Sequence, residues 1–264
     1  MGIKFCSLSS GSSGNCQYIE TDRTKILIDG GFSGKRIESL LSSIGVCPTT
    51  IDYILVTHEH IDHVKGVGIL SRRYDIPIVA NENTWLGMNK IIGEIKDKNI
   101  KIIESDKDLE LKDLGVCPFR VSHDANEPVG YCIYYKNIKI SIITDTGWVN
   151  YDMKNKIKGS SLYLMESNHD VKMLKEGSYP LYLKRRILGT KAHLSNEDAG
   201  EALAETLSGN GETVLLAHLS NENNTPSLAH ETVKKCIESL GINVHRDIAL
   251  ELTYRDRPTK VYTL

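Results

Sequence analysis

One heptapeptide constrains this 264-residue chain more than any other feature: "THEHIDH", which carries His58, His60, Asp62 and His63 within six residues. It follows the apolar, strand-like run "IDYILV" and precedes "VKGVGILSRRY", which has helical spacing. Imidazole and carboxylate are the groups that hold Zn²⁺, Mn²⁺ or Fe²⁺ in hydrolytic sites. Packing alone rarely accounts for four of them on one short loop. In an extended segment His58 and His60 project to the same side and can share one ion. Asp62 and His63 fall at the turn into the helix, where they can reach a second. Two divalent cations are therefore the expected cofactors.

The rest of the chain reads as a frame for such a loop. Strand-like runs "IKFCSL", "QYIE" and "TKILIDGG" come first, then the helical "SGKRIESLLSSIG". Residues 100–145 are strand-rich. Alternation then resumes with the strand "SLYLMES", the helices "YPLYLKRRIL" and "NEDAGEALAETL", the strand "TVLLAH" and the helix "PSLAHETVKKCIESLG". This order predicts the α/β class, with two sheets packed face to face and covered by helices. No composition break marks a linker, so one domain over 1–264 is expected.

A formal net charge of −2 gives no global attraction to nucleic acid or membrane, although a local basic patch suffices to hold a phosphate backbone. The six cysteines are scattered with no C-x-x-C pair, and no apolar run approaches a membrane span. The start "MGIKFCSLSS" lacks the apolar core of a signal peptide. Free thiols, a cytoplasmic location and no membrane partner are the expectation; oligomeric state is left open.

A second feature is the word "AHLSNE", present twice, at residues 192–197 and 217–222. Its surroundings differ. His193 precedes the helical "EDAGEALAETL", and His218 closes the strand "TVLLA". A structural repeat is not expected.

"THEHIDH" resembles the H-x-H-x-D-H motif of the metallo-β-lactamase superfamily, and the strand–helix order is similar to its αββα sandwich of two mixed sheets with helices outside. The resemblance implies roles for further residues. His123 in "VSHD" corresponds to the third ligand of the first ion, and Asp145 in "IITDTG" to a carboxylate bridging both ions. Asp62, His63 and His218 complete the second. A bridging aspartate argues against an antibiotic-hydrolysing enzyme and leaves a shared hydroxide as the expected nucleophile. The ligand set accommodates Zn²⁺ or Mn²⁺, and Fe²⁺ as well.

Within the superfamily the pattern from "SGSSGN" through "ESNHD" to the two "HLSNE" words resembles the YycJ/WalJ-like group of small stand-alone nucleases, related to the RNase Z and RNase J types. That resemblance implies a 5′-to-3′ DNA exonuclease, with some members linked to DNA mismatch repair. Glu166 in "LYLMES" would pair with His193, which protonates the leaving oxygen, so Asp62, Glu166 and His193 are the expected catalytic groups. The short stretch between Asp145 and His193 has no room for the extra domain of RNase J, and the chain has none for the projecting arm of RNase Z. DNA is thus favoured over RNA. A small-molecule hydrolase, acting on a lactone or thioester, shares every metal ligand and is the alternative; it has less need of the Glu166/His193 pair.

Substrate contacts are read from two places. The loop "SSGSSGN" is a candidate phosphate cradle through Ser12, Ser13 and Asn15, since glycines let backbone N–H groups converge. Asn221, followed by Asn224 and Thr225, could line the same cleft. Between Asp145 and His193 a cationic strip carries Lys172, Lys175, Lys184, Arg185, Arg186 and Lys191, with Tyr179 and Tyr182 among them. Such a strip suits a nucleic-acid strand.

Overall fold

A computed structural model describes residues 2–264. The elements run β1 (Lys4–Ser9), β2 (Cys16–Glu20), β3 (Lys25–Ile28), α1 (Gly34–Ser43), β4 (Tyr53–Leu55), α2 (Ile61–Val64), α3 (Val67–Tyr74), β5 (Ile78–Asn81), α4 (Glu82–Ile92), β6 (Ile100–Ile103), β7 (Leu109–Leu111) and β8 (Leu114–Arg120). They continue with β9 (Val129–Tyr135), β10 (Ile138–Ile143), α5 (Tyr151–Ile157), β11 (Leu162–Glu166), α6 (Val171–Glu176), α7 (Leu181–Ile187), α8 (Asn196–Thr206), β12 (Thr213–Ala217), α9 (Pro226–Ser239), β13 (Ala249–Leu252) and β14 (Tyr262–Thr263). Two compact units result. The first runs through Pro118 and takes in Ala125–Val129 and Thr253–Leu264; the second comprises Phe119–Asp124 and Gly130–Leu252.

The first unit is built on a seven-stranded mixed sheet of order β14-β1-β2-β3-β4-β5-β6. Strands β1, β2 and β3 pair antiparallel, and β3 through β6 pair parallel. Parallel strands need crossovers, and α1, α3 and α4 supply them. Their apolar faces close a core of Leu8, Tyr18, Leu27, Ile37, Leu41, Ile54, Val67, Ile78 and Met88. The helix α1 is capped by Ser33, whose side chain accepts from the Arg36 N–H, and α4 by Asn81, which accepts from Thr84.

The second seven-stranded sheet has the order β13-β12-β11-β10-β9-β8-β7. Strands β10 through β13 are parallel, and β9 meets β10 antiparallel. The run "LYLME" of β11 is buried throughout, as a strand covered on both faces requires. Among the described residues no helix is long and apolar enough to cross a membrane.

In both sheets the polar residues of interest lie just beyond the C-terminal ends of parallel strands, where open α/β sheets collect their functional groups. Asp29 follows β3, His58 follows β4, Asp145 follows β10, and His218 follows β12; Glu166 is the last residue of β11. Asp29, Asp145 and His218 have φ of 63°, 53° and 55°. The left-handed region is unfavourable for side chains other than glycine, and residues held there cluster at functional positions.

Candidate metal centre

The first unit contributes the "THEHIDH" loop. The backbone leaves β4 with Val56 N–H donating to Val79 O at 3.0 Å. Thr57 then donates its N–H to Asp29 Oδ1 (2.8 Å) and its hydroxyl to Asp29 Oδ2 (2.9 Å). The same Oδ2 lies 2.7 Å from His63 Nδ1. A ring nitrogen so placed donates to the carboxylate and leaves Nε2 with its lone pair, which is how outer partners orient metal-binding imidazoles. His63 and Asp29 are both buried. His58 Nε2 and His60 Nδ1 face each other at 3.1 Å, consistent with the same-side projection expected of residues two apart. The His58 and His63 ring centroids are 4.0 Å apart.

Two close approaches lock this loop. Asn15 N–H donates to Asp62 O at 2.8 Å, and Gly30 N–H to His63 O at 2.7 Å. Asn15 Nδ2 lies 3.0 Å from His63 Nε2, and its Oδ1 accepts from the Gly11 N–H at 2.9 Å. Asn15 is thus buried and braces the histidine loop, whereas Ser12 and Ser13 of the same turn are exposed. A Cβ at Gly31 would stand 1.7 Å from Asp62 O, so only glycine lets the two segments meet.

The second unit contributes His123, Asp145, Glu166, His193 and His218. His123 Nδ1 sits 2.9 Å from Ala192 O, which makes Nδ1 the protonated nitrogen, and Nε2 lies 3.6 Å from Asp124 Oδ1. Burial pushes the His123 imidazole below its ordinary pKa, although the Asp145 carboxylate opposes this. The neutral ring is the form that can ligate a metal. Asp145 Oδ1 is 2.9 Å from His218 Nδ1 and 3.5 Å from His193 Nδ1. Glu166 Oε1 is 2.7 Å from His193 Nδ1, and its Oε2 accepts the Thr146 N–H at 2.7 Å. Burial works against charge on His193, yet the Glu166 carboxylate, through its charge and hydrogen bond, and Asp145 lift its pKa to about 9. His169, by contrast, is depressed to about 4 by burial.

This donor set fits divalent cations. Asp145 and His218 each present one ligand atom, with Glu166 and His193 alongside, all four atoms within 4.8 Å of one another. Imidazole nitrogen and carboxylate oxygen are borderline-to-hard donors, the mixture that suits Zn²⁺, Mn²⁺ and Fe²⁺. Two imidazole nitrogens facing each other, as in His58 and His60, are likewise an arrangement that a shared cation relieves.

The two "AHLSNE" words converge on Asn168, which the sequence did not single out. Asn168 N–H donates to Leu194 O of the first copy at 2.9 Å, and its C=O accepts from Ser220 of the second at 2.7 Å. Its side-chain Nδ2 donates to His218 O at 2.8 Å, holding the carbonyl of a left-handed residue. The shared serines act alike. Ser195 Oγ accepts the Asp198 N–H as the cap of α8, and Ser220 Oγ accepts the Asn223 N–H three residues on. Each histidine therefore sits one leucine before a serine-capped turn. The asparagines differ: Asn196 is buried, with Ser167 Oγ at 2.6 Å and Asn224 Nδ2 at 2.9 Å on its Oδ1, whereas Asn221 is exposed. Asn224 is also spent internally, on the Ser167 and Asn168 carbonyls, and Thr225 caps α9.

The cationic strip occupies α6, α7 and the loop after them. Lys172, Lys175, Arg185, Arg186 and Lys191 are exposed, as is Tyr182; Lys184 and Tyr179 are half-buried. Arg186 pairs with Asp124 (Nη2 to Oδ2, 2.6 Å), the neighbour of His123.

A histidine–aspartate loop after one parallel strand, and carboxylate–imidazole groups at the ends of three more, are the marks of a metallohydrolase. Residues 24–219 match the family model of the beta-lactamase superfamily domain, and the chain belongs to the metallo-β-lactamase superfamily. Over 262 residues it is 44% identical to "Exodeoxyribonuclease YycJ" of Bacillus anthracis, covering 99% of both chains. "Exodeoxyribonuclease WalJ" of Streptococcus pneumoniae is 41% identical over 261 residues, covering 98% of this chain and 97% of that one. Among solved structures, the metallo-beta-lactamase fold protein YhfI from Bacillus subtilis superposes with a TM-score of 0.74 at 15% identity, over 98% of this chain and 99% of that one. The short form of human tRNase Z gives 0.65 at 14% identity, over 99% and 100%. The α/β sandwich fold expected from the sequence is therefore the fold of this chain.

Proposed function

We propose that this protein is a metal-dependent exonuclease that degrades DNA from the 5′ end. The observation that carries the reading is the Glu166–His193 pair, 2.7 Å apart, a buried carboxylate against a half-buried imidazole, beside the Asp145–His218 contact. Support comes also from the two relatives named exodeoxyribonucleases, each alike over nearly the whole chain.

Ligand roles are assigned to His58, His60, Asp62 and His63 of the first unit, and to His123, Asp145 and His218 of the second. Divalent ions held by such groups would activate water near neutral pH and supply positive charge to phosphoryl oxygens. The protein's own contribution is at the departing oxygen. Cleavage of a phosphodiester expels an alkoxide, which leaves slowly unless it is protonated. His193 carries that proton. Its Nδ1 is occupied by Glu166, so Nε2–H is the donor, and a pKa of about 9 keeps the ring charged at neutral pH. Thr146 N–H, donating to the other Glu166 oxygen, fixes the carboxylate that aims the ring. The exposed cations of α6 and α7 provide phosphate contacts for the strand.

The test is digestion of DNA and RNA labelled at one end or the other, with Mn²⁺ or Zn²⁺ supplied. Early release of a mononucleotide from 5′-labelled DNA is expected. Loss of the 3′ label first, or RNA consumed in preference to DNA, would overturn the direction or the substrate.

A further inference from the structure

The two tryptophans of the chain are in opposite situations. Trp85 is 8% exposed, and its indole N–H donates to Lys101 O at 3.3 Å. Trp148 leaves 55% of its surface in solvent, only three residues after Asp145. A lone exposed aromatic on a slack loop would carry no meaning. This loop is not slack. Thr146 N–H donates to Glu166 Oε2 at 2.7 Å, and Thr146 Oγ1 donates to Trp148 O at 2.9 Å. Ser122 N–H donates to Thr146 Oγ1 at 3.2 Å, and Gly147 N–H to Ser122 O at 2.8 Å. A Cβ at Gly147 would lie 2.4 Å from the Thr190 carbonyl carbon, so the 190–193 loop presses on this segment directly. On the far side Val149 is buried and Asn150 caps α5. The backbone leading to the indole is thus held at Thr146, by the same carboxylate that holds His193, and at Gly147 by Ser122.

The surroundings supply charge. Lys191 follows the Thr190 that abuts Gly147, and Arg185 and Arg186 close the helix leading into that loop; all three are exposed. An exposed aromatic plane on a held loop, with Lys191 and Arg185 on the neighbouring segment, matches the parts of a single nucleic-acid strand: bases that stack and phosphates that pair. Stacking also tolerates any base, because every base has a π-face, and an enzyme that consumes a strand residue by residue meets all four.

We propose that Trp148 is a base-stacking residue that seats a nucleobase of a single DNA strand next to the Asp145–Glu166–His193 cluster. The proposal rests on the nuclease reading above and adds to it the contact that positions the strand.

The test uses the full-length, metal-loaded chain and two cleavage-resistant phosphorothioate probes of equal length, an oligothymidine and an abasic strand with the same backbone. Trp148→Ala is expected to weaken binding of oligothymidine about tenfold, within the range of one base stacked on an aromatic side chain. Binding of the abasic strand stays unchanged, which also reports that the variant is folded. Trp148→Phe, which keeps a smaller π-face, is expected to bind within about threefold of wild type. Wild-type affinity of Trp148→Ala for oligothymidine would overturn the proposal, and so would an equal loss on both probes. A wild-type chain that digests ordinary DNA while Trp148→Ala binds normally removes this proposal alone; a wild-type chain that digests no DNA removes the reading beneath it.

Discussion

Replacing Glu166 with glutamine isolates the one interaction on which the proton-donor role of His193 depends. The substitution keeps the volume and one acceptor but deletes a charge 2.7 Å from His193 Nδ1, in a fully buried position. In the intact protein that charge overrides burial and places the His193 pKa at about 9. An unperturbed imidazole titrates near 6.5. With Glu166 gone, burial and the Arg186 charge are opposed only by the Asp145 carboxylate, 3.5 Å away, and a fall to roughly the unperturbed value or below follows. At pH 8 the charged fraction then falls from about 0.9 to about 0.03, roughly thirtyfold less donor. At pH 6 both proteins are mostly charged, and the difference shrinks to less than about twofold. A donor is active below its pKa and lost above it, so the alkaline limb of the profile moves down in pH. The assay is nucleotide release at saturating DNA from pH 6 to 9.5, with kcat and KM separated. A Glu166→Gln protein slowed by the same factor at every pH, or not slowed at all, would rule out His193 as the proton donor charged by Glu166.

Other outcomes follow from the same geometry. His218→Ala is expected to lose a bound metal ion and His193→Ala to retain the full complement, as read by elemental analysis of the purified proteins; equal loss from both would erase the split between ligand and proton donor. Asn168→Ala removes the donor that holds the left-handed His218 carbonyl and should lower stability by about 1–3 kcal/mol, measured by denaturant unfolding, an unchanged midpoint being the contrary result. Gly31→Ala forces apart Asp62 O and a new Cβ that would otherwise meet at 1.7 Å, and a loss of about 3 kcal/mol or more is expected; a wild-type unfolding midpoint would contradict it.

How much of the candidate site is legible in the sequence is a matter of sequence distance. His58, His60, Asp62 and His63 share one loop, so their chemistry is visible as a word, and the strand before them is an unbroken apolar run because parallel strands are buried on both faces. Asp145, Glu166 and His218 each end or follow such a run, and their placement at parallel strand ends is what the structure contains. What escaped notice was the support. Asp29 braces Thr57 and His63 from a turn 28 and 34 residues away, and nothing in "IDGG" distinguishes a bracing aspartate from an ordinary turn residue. Asn15, expected in a phosphate cradle, is buried against Asp62 and His63, and the absence of a side chain at Gly31 is what lets Asn15 and Asp62 come this close. Asn168 is marked by no motif; its importance comes from two backbone segments meeting there. Among the elements, β5 is a short apolar run in which periodicity does not separate helix from strand. The twin "AHLSNE" words are explained in part: Ser195 and Ser220 each cap the turn after a histidine.

If metal held by these histidines and aspartates cuts DNA, activity must leave and return with the metal. Purified protein is stripped by chelation, then titrated with Mn²⁺ or Zn²⁺ while nucleotide release from 5′-labelled DNA is followed in the same sample. No release is expected from the stripped chain, and full recovery as the metal is restored. Release that persists without metal, or a reloaded chain that leaves DNA intact, would contradict it.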